Sequence, residues 1–260
     1  ILICLFKKKR EFFTNYFIHE IKKSKHFRHY INSISNEIKK VKLPGFKIND
    51  NFKESYIKNL FSLTNEEQQK IDRYTSICDK KLRRVNLSIF FRYPWKIVKS
   101  NNNLELGMPF TLHDIIIIPS YMINRLNEHT INNNFIDTLI HEKTHVIQRF
   151  NQTKFNTFYM KTYPFLKKTI YKLPTELHKN NMVNPDSNGQ YWLYKFNNSL
   201  FYVFLKYKRR GRVTSYAVDK NNIEADLDYL KKIYKFNPST SVYHPNEIFA
   251  YELASQILNK

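Results

Sequence analysis

The stretch Asn134-Phe135-Ile136-Asp137-Thr138-Leu139-Ile140-His141-Glu142-Lys143-Thr144-His145-Val146-Ile147-Gln148-Arg149-Phe150 decides how this chain is read. Ile136, Leu139, Ile140, Val146, Ile147 and Phe150 recur at helical spacing and form one apolar stripe. Asn134 or Asp137 could cap the start, and no Pro or Gly interrupts the run. The pattern predicts an amphipathic helix with one buried side. Residues four apart share a helix face, so His141 and His145 present two imidazoles together. That pair supplies two of the three protein ligands of an open zinc site. Glu142 is displaced around the helix, placed to take a proton from a zinc-activated water without ligating the ion. The chemistry implied is metal-assisted hydrolysis, most often of a peptide bond. The plainer alternative is a surface helix in which two of the nine histidines happen to fall four apart.

A third ligand is needed, and two downstream segments compete for it. In Tyr243-His244-Pro245-Asn246-Glu247-Ile248-Phe249-Ala250-Tyr251-Glu252-Leu253-Ala254, Pro245 suits the first position of a helix and Glu247 falls in its first turn. Ile248, Tyr251, Leu253, Ile257 and Leu258 give this helix an apolar side, while small Ala250 and Ala254 would let it approach the first helix closely. In Ile223-Glu224-Ala225-Asp226-Leu227-Asp228, Glu224 and Asp228 would share a helical face. Glu247 also has a purely structural reading, as a carboxylate at the positive end of a helix. Glu224 has one as part of an exposed acidic face.

These motifs resemble a known family. His141-Glu142-x-x-His145 followed far downstream by Asn246-Glu247-x-x-Ala250 is similar to the gluzincins, the zincin metallopeptidases typified by thermolysin and the zinc aminopeptidases. The resemblance implies a zinc metallopeptidase in which His141, His145 and Glu247 hold Zn2+ and Glu142 is the general base. Glu224 with Asp228 is similar to the Glu-x-x-x-Asp arrangement of thermolysin relatives, which keeps Glu224 open as an alternative. The fold implied is α+β and zincin-like, with a small antiparallel sheet, an HExxH active-site helix, a β-meander insertion and a C-terminal helix carrying the third ligand. The separation of His145 from Glu247, about a hundred residues, exceeds the usual gluzincin spacing and demands an insertion. Aromatic and β-branched runs at 190–196, 200–207 and 212–218, divided by Asn197-Asn198-Ser199 and Lys208-Arg209-Arg210-Gly211, predict that insertion as a three-stranded meander over about 188–220. With the Asn184-Pro185-Asp186 turn, the whole looks similar to uncharacterised zincin-like proteins of large DNA viruses and protists, over roughly residues 90 to 255.

Zincins pair an extended peptide substrate along an edge strand above the active-site helix. The 104–112 segment is our expectation for that edge, with an ordinary loop and strand as the alternative. Ile89-Phe90-Phe91 and Trp95-Lys96-Ile97-Val98 read as short strands, and Asp114-Ile115-Ile116-Ile117-Ile118-Pro119 as one buried on both faces. His113 reads as structural or exposed rather than as a ligand. Thr64-Asn65-Glu66-Glu67 is a capping-box pattern opening a helix through Leu82. Tyr243, His244 and Tyr251 stand near the second motif as candidate oxyanion donors, and equally as packing residues.

A chain of 260 residues suits one main domain, 63–260, behind a basic and mostly helical extension, 1–62. The extension reads as two helical pieces around Leu43-Pro44-Gly45, forming a prosegment-like cover. The formal charge of +21 comes from 43 Lys and Arg against 22 Asp and Glu. Such a balance often marks nucleic-acid or membrane partners. Here it accompanies Asn, Ile, Phe and Tyr enrichment with only four Gly, the bias of an AT-rich genome, so we read the lysines as solvated surface and the partner as a peptide or protein substrate. Cys4 and Cys78 are too few for a disulfide framework, which favours a reducing, intracellular setting. Ile1 to Phe6 followed by Lys7 to Arg10 could be the remnant of a membrane anchor or simply a helix start. Two other functions remain: an inactive zincin-like binding module with structural zinc, and a basic nucleic-acid-binding protein.

Overall fold

A computed structural model of the chain describes residues 15–259 apart from 128, 197 and 209–211. The Ile1–Arg10 segment, Cys4 and most of the expected Lys208-to-Gly211 turn lie outside the described residues. Four helices come first: residues 15–23 (α1), Lys25–Ser33 (α2), Asn36–Lys42 (α3) and Phe52–Ile57 (α4). Ser24 and Ser35 cap α2 and α3, accepting from the main-chain N–H of Phe27 and Ile38. The Leu43-Pro44-Gly45 break stands where the sequence puts it, with Gly45 at φ +87°.

The protein is α+β with two small sheets. The first contains β1 (Leu60–Phe61), β2 (Ile97–Ser100), β3 (Phe110–Leu112) and β4 (Ile115–Pro119), in the order β1-β2-β4-β3. It is mixed rather than antiparallel, because β2 runs parallel to β4 while β1 and β3 pair antiparallel. Strand β4 is buried on both faces as expected, and its alternation explains how. Ile115 and Ile117 pack against Phe27, Ile38, Phe52 and Tyr56 of the N-terminal helices. Ile116 and Ile118 pack on the opposite face with Ile71, Ile136 and Ile140.

That opposite face is covered by two long helices, α5 (Asn65–Arg84) and, after the short α6 (Ser120–Asn124), α7 (Asn133–Phe150). The predicted capping box of α5 is present: Thr64 Oγ1 accepts from Glu67 N at 3.2 Å and Glu67 Oε2 accepts from Thr64 N at 2.6 Å. The cap of α7 is Asn132, whose side chain accepts from Phe135 N, and neither Asn134 nor Asp137 serves. Ile89-Phe90-Phe91 forms a 3-10 turn over Ser88–Arg92 rather than a strand, burying only Phe90.

After α8 (Gln152–Thr162) the second sheet contains β5 (Leu166–Ile170), β6 (Tyr191–Phe196), β7 (Ser199–Lys208) and β8 (Arg212–Asp219), all antiparallel in that order, with α9 (Thr175–His178) between β5 and β6. The expected meander is β6 to β8. Strand β5 adds a lysine-bearing, largely solvent-facing edge with a register irregularity, which leaves little apolar signal to read. Helix α10 (Asp228–Ile233) precedes α11 (Pro245–Leu258), with Pro245 at its first position and Ala250 and Ala254 fully buried. No helix among the described residues is long and apolar enough to cross a membrane.

Candidate metal centre

Helices α7 and α11 bring the two motifs together. His141 Nε2 and His145 Nε2 stand 2.9 Å apart, and the Glu247 carboxylate reaches each at 3.4 Å. One ligand atom from each of the three lies within 4.8 Å of the others, the one such group among the described residues. Glu247 is thus the carboxylate of the site. Glu224 is not: it is exposed, accepts from Tyr216 OH at 2.6 Å, and bridges Val218 in extended backbone. Residues 223–227 form no helix, and α10 begins only at Asp228, so Glu224 and Asp228 share no helical face.

The tautomer of His145 follows from its neighbours. The Asn246 carbonyl can only accept, so Gln148 donates to it through Nε2, at 3.0 Å. Gln148 Nε2 also donates to Tyr159 OH at 2.9 Å. Gln148 Oε1 is left to accept from His145 Nδ1, 2.8 Å away, which leaves the lone pair on Nε2 aimed at His141 and Glu247. Burial lowers the pKa of His145, and a neutral ring is the state a ligand requires. For Glu247, burial alone would raise the pKa, but His145 and His141 beside it hold the carboxyl down to about 2. Asn184 Nδ2 donates to Glu247 Oε1 at 3.1 Å, and Asn184 also binds Tyr243 OH. Two nitrogen donors and one carboxylate, with His145 and Glu247 each held by a second polar partner, fit a divalent metal ion.

Glu142 lies beside this group, 4 % exposed, and its Oε2 has no hydrogen-bond partner. Burial, then the nearby charges of Asp186 and Glu247, raise its pKa well above the usual carboxylate range. A buried carboxylate on the cavity wall with an unpartnered oxygen is placed to exchange a proton with a bound group. Lys143, between the two motif positions, faces away from the site: its Nζ donates to the carbonyls of Tyr93 and Pro94.

A cavity of about 370 Å3 opens onto the centre, with His141, Glu142, Glu247 and Tyr251 on its wall. The Tyr251 ring packs edge-on against His141 at 4.5 Å between centroids. Tyr243 OH lies 3.4 Å from Glu247 Oε1 and also lines the cavity. His244 does not. It caps α11 by accepting from Asn246 N at 3.1 Å, and burial lowers its pKa to about 3. His113 stays exposed and pairs with Asp114 at 2.8 Å, as a non-ligand should.

Strand β3 is the edge of its sheet, and Phe110 with Met108 and Pro109 lines the cavity. Of the expected 104–112 edge only Phe110–Leu112 is strand, since 104–107 is a tight turn with Glu105 and Leu106 in left-handed backbone. The outward main-chain groups of Thr111 are already engaged: its N–H donates to Asp186 Oδ1 at 2.9 Å, and its carbonyl accepts from Arg149 Nη2 at 3.4 Å. Arg149 and Asp186 are themselves 3.6 Å apart and buried, one closing α7 and the other in the turn after Asn184. Sequence reasoning missed this pair, as it missed Gln148 and Asn184. Only Gln148, one turn beyond His145 on the same helix, carried a local signal.

No protein-family model, no curated protein and no solved structure matches this chain.

Proposed function

We propose that the protein is a zinc-dependent metallopeptidase of gluzincin type, with a zincin-like arrangement of its α7 and α11 helices beneath the first sheet. The observation that carries this reading is the convergence of His141 Nε2, His145 Nε2 and the Glu247 carboxylate beside the buried carboxylate of Glu142, whose Oε2 has no hydrogen-bond partner. His141, His145 and Glu247 would hold the ion, with Gln148 orienting His145 and Asn184 orienting Glu247. When bound, zinc supplies Lewis acidity, acidifying a water and polarising a carbonyl. Glu142 accepts the proton lost by the attacking water and passes it to the departing amine. Tyr251 and Tyr243, both on the cavity wall, would offer hydroxyls to a developing oxyanion.

The test is hydrolysis of a mixed peptide library by protein carrying one equivalent of zinc. The wild type is expected to cleave a subset. Glu142→Gln is expected to keep its zinc and lose activity by at least about 100-fold. A zinc-loaded wild type that leaves every peptide intact would contradict the proposal, as would an undiminished Glu142→Gln variant.

A further inference from the structure

The cavity beside the metal centre is also lined by Lys42, from the last turn of α3, and Glu105, from the turn before β3. Neither belongs to the motifs, and they are 2 % and 5 % exposed. Glu105 is fully engaged. The hydroxyls of Tyr30 and Tyr56 both donate to its Oε1, and Lys42 Nζ donates to its Oε2. The backbone that carries it is strained: Glu105 and Leu106 hold φ of 52° and 60°, in the left-handed region that side-chain-bearing residues avoid. Gly107 follows at 72°, where an added Cβ would stand 2.5 Å from the Asn102 carbonyl oxygen. A strained turn that presents a buried charge to a cavity is characteristic of ligand-binding walls.

The Lys42 ammonium can donate three hydrogen bonds. One goes to Glu105, and the Tyr30 ring lies 5.3 Å away. Among the described residues no other acceptor meets it. Three donors already share the charge of Glu105, so Lys42 can accept a second anion. Lys42 is the one Lys or Arg among the described residues of this wall, which mixes Phe110, Met182, Val183 and Leu205 with the carboxylates of Asp137, Glu142, Asp186 and Glu247, and a charge pair away from bulk water is stronger than an exposed one. Meanwhile Asp186 and Arg149 occupy the Thr111 main chain, so an extended peptide cannot gain affinity by pairing there.

We propose that Lys42 recognises a carboxylate on the substrate near the scissile bond, so that the enzyme acts on short peptides carrying either a free C-terminus or an Asp or Glu side chain at that position. Glu105, Tyr30 and Tyr56 act as positioning residues that hold the ammonium in place. This inference rests on the hydrolytic reading above.

The experiment measures binding by calorimetry to zinc-loaded Glu142→Gln protein, alongside hydrolysis by the wild type. Three N-acetylated tetrapeptides are compared: one of alanines with a free carboxylate, its C-terminal amide, and an amide bearing one internal Glu. At least one carboxylate-bearing peptide is expected to bind tenfold or more tightly than the neutral amide. Which one does so separates a terminal from a side-chain carboxylate. The preference is expected to vanish in the further variant Lys42→Met with Glu105→Gln, which keeps the buried pair neutral, at unchanged zinc content and melting temperature. Equal binding of all three peptides, with hydrolysis intact, would overturn the role of Lys42 and leave the peptidase reading standing. A preference that survives in the double variant would do the same. No binding and no hydrolysis of any peptide would overturn both.

Discussion

Replacing Gln148 with Met would keep the shape of α7 while removing the acceptor that holds His145 in its Nδ1-protonated form. Outer partners of this kind typically matter by 10–100-fold in metal affinity. Zinc titration of Gln148→Met against a competing chelator is therefore expected to show weakening in that range. Unchanged affinity would mean that the ring is oriented by packing alone. At this scale the site was legible where its logic is local. His141 and His145 are one helical turn apart, and Glu247 is marked by Pro245 opening a helix, so both motifs can be read without knowing where the chain goes. Asp186, Arg149 and Asn184 were not legible. They meet Thr111 and Glu247 only through the tertiary fold, and a single aspartate in a turn reads as turn chemistry.

Among elements, the β3–β4 hairpin depends on Asp114, whose carboxylate accepts from Lys96 and His113, both at 2.8 Å. Burial alone would raise its pKa, but the His113 and Lys96 contacts lower it from 3.8 to about 2. A carboxyl depressed in the folded state contributes stability above its unfolded pKa, and that contribution disappears as pH falls from about 4 to 2. Asp114→Asn is expected to cost on the order of 1–2 kcal/mol at neutral pH and to flatten the loss of stability across that acid window. Denaturant melts at pH 6 and pH 3 check this, and equal sensitivity of the two proteins to acid would refute it. Elements with strong periodicity or capping were readable, notably α5, α7, β4 and the β6–β8 meander. Ile89-Phe90-Phe91 was misread because three apolar residues cannot distinguish a strand from a 3-10 turn that buries one ring. The parallel pairing of β2 with β4 is set by the path of residues 101–114, which carries no pattern of its own.

Across the whole molecule, the N-terminal helices share a core with the first sheet, and they deliver Lys42 to the wall of the cavity. Removing residues 1–58 would expose Val98, Leu112, Ile115 and Ile117, each 0 % exposed in the intact chain. Each such side chain is worth about 1.5–3 kcal/mol, and their sum is comparable to the whole stability of a domain, about 5–15 kcal/mol. The truncated chain is expected to lack a cooperative thermal transition. Cooperative unfolding with normal zinc binding would instead identify the segment as a removable cover. This organisation was hard to read because the buried residues of this segment, among them Ile21, Phe27, Ile38, Phe52 and Tyr56, are spread over four short helices and interleaved with basic, polar residues. The central claim is that α7 and α11 grip one divalent cation between them. Crystals of zinc-loaded protein, with anomalous scattering recorded at the zinc edge, test it most directly. A single peak within about 2 Å of His141 Nε2, His145 Nε2 and a Glu247 oxygen is predicted. A peak elsewhere, or none in this position, would contradict the account.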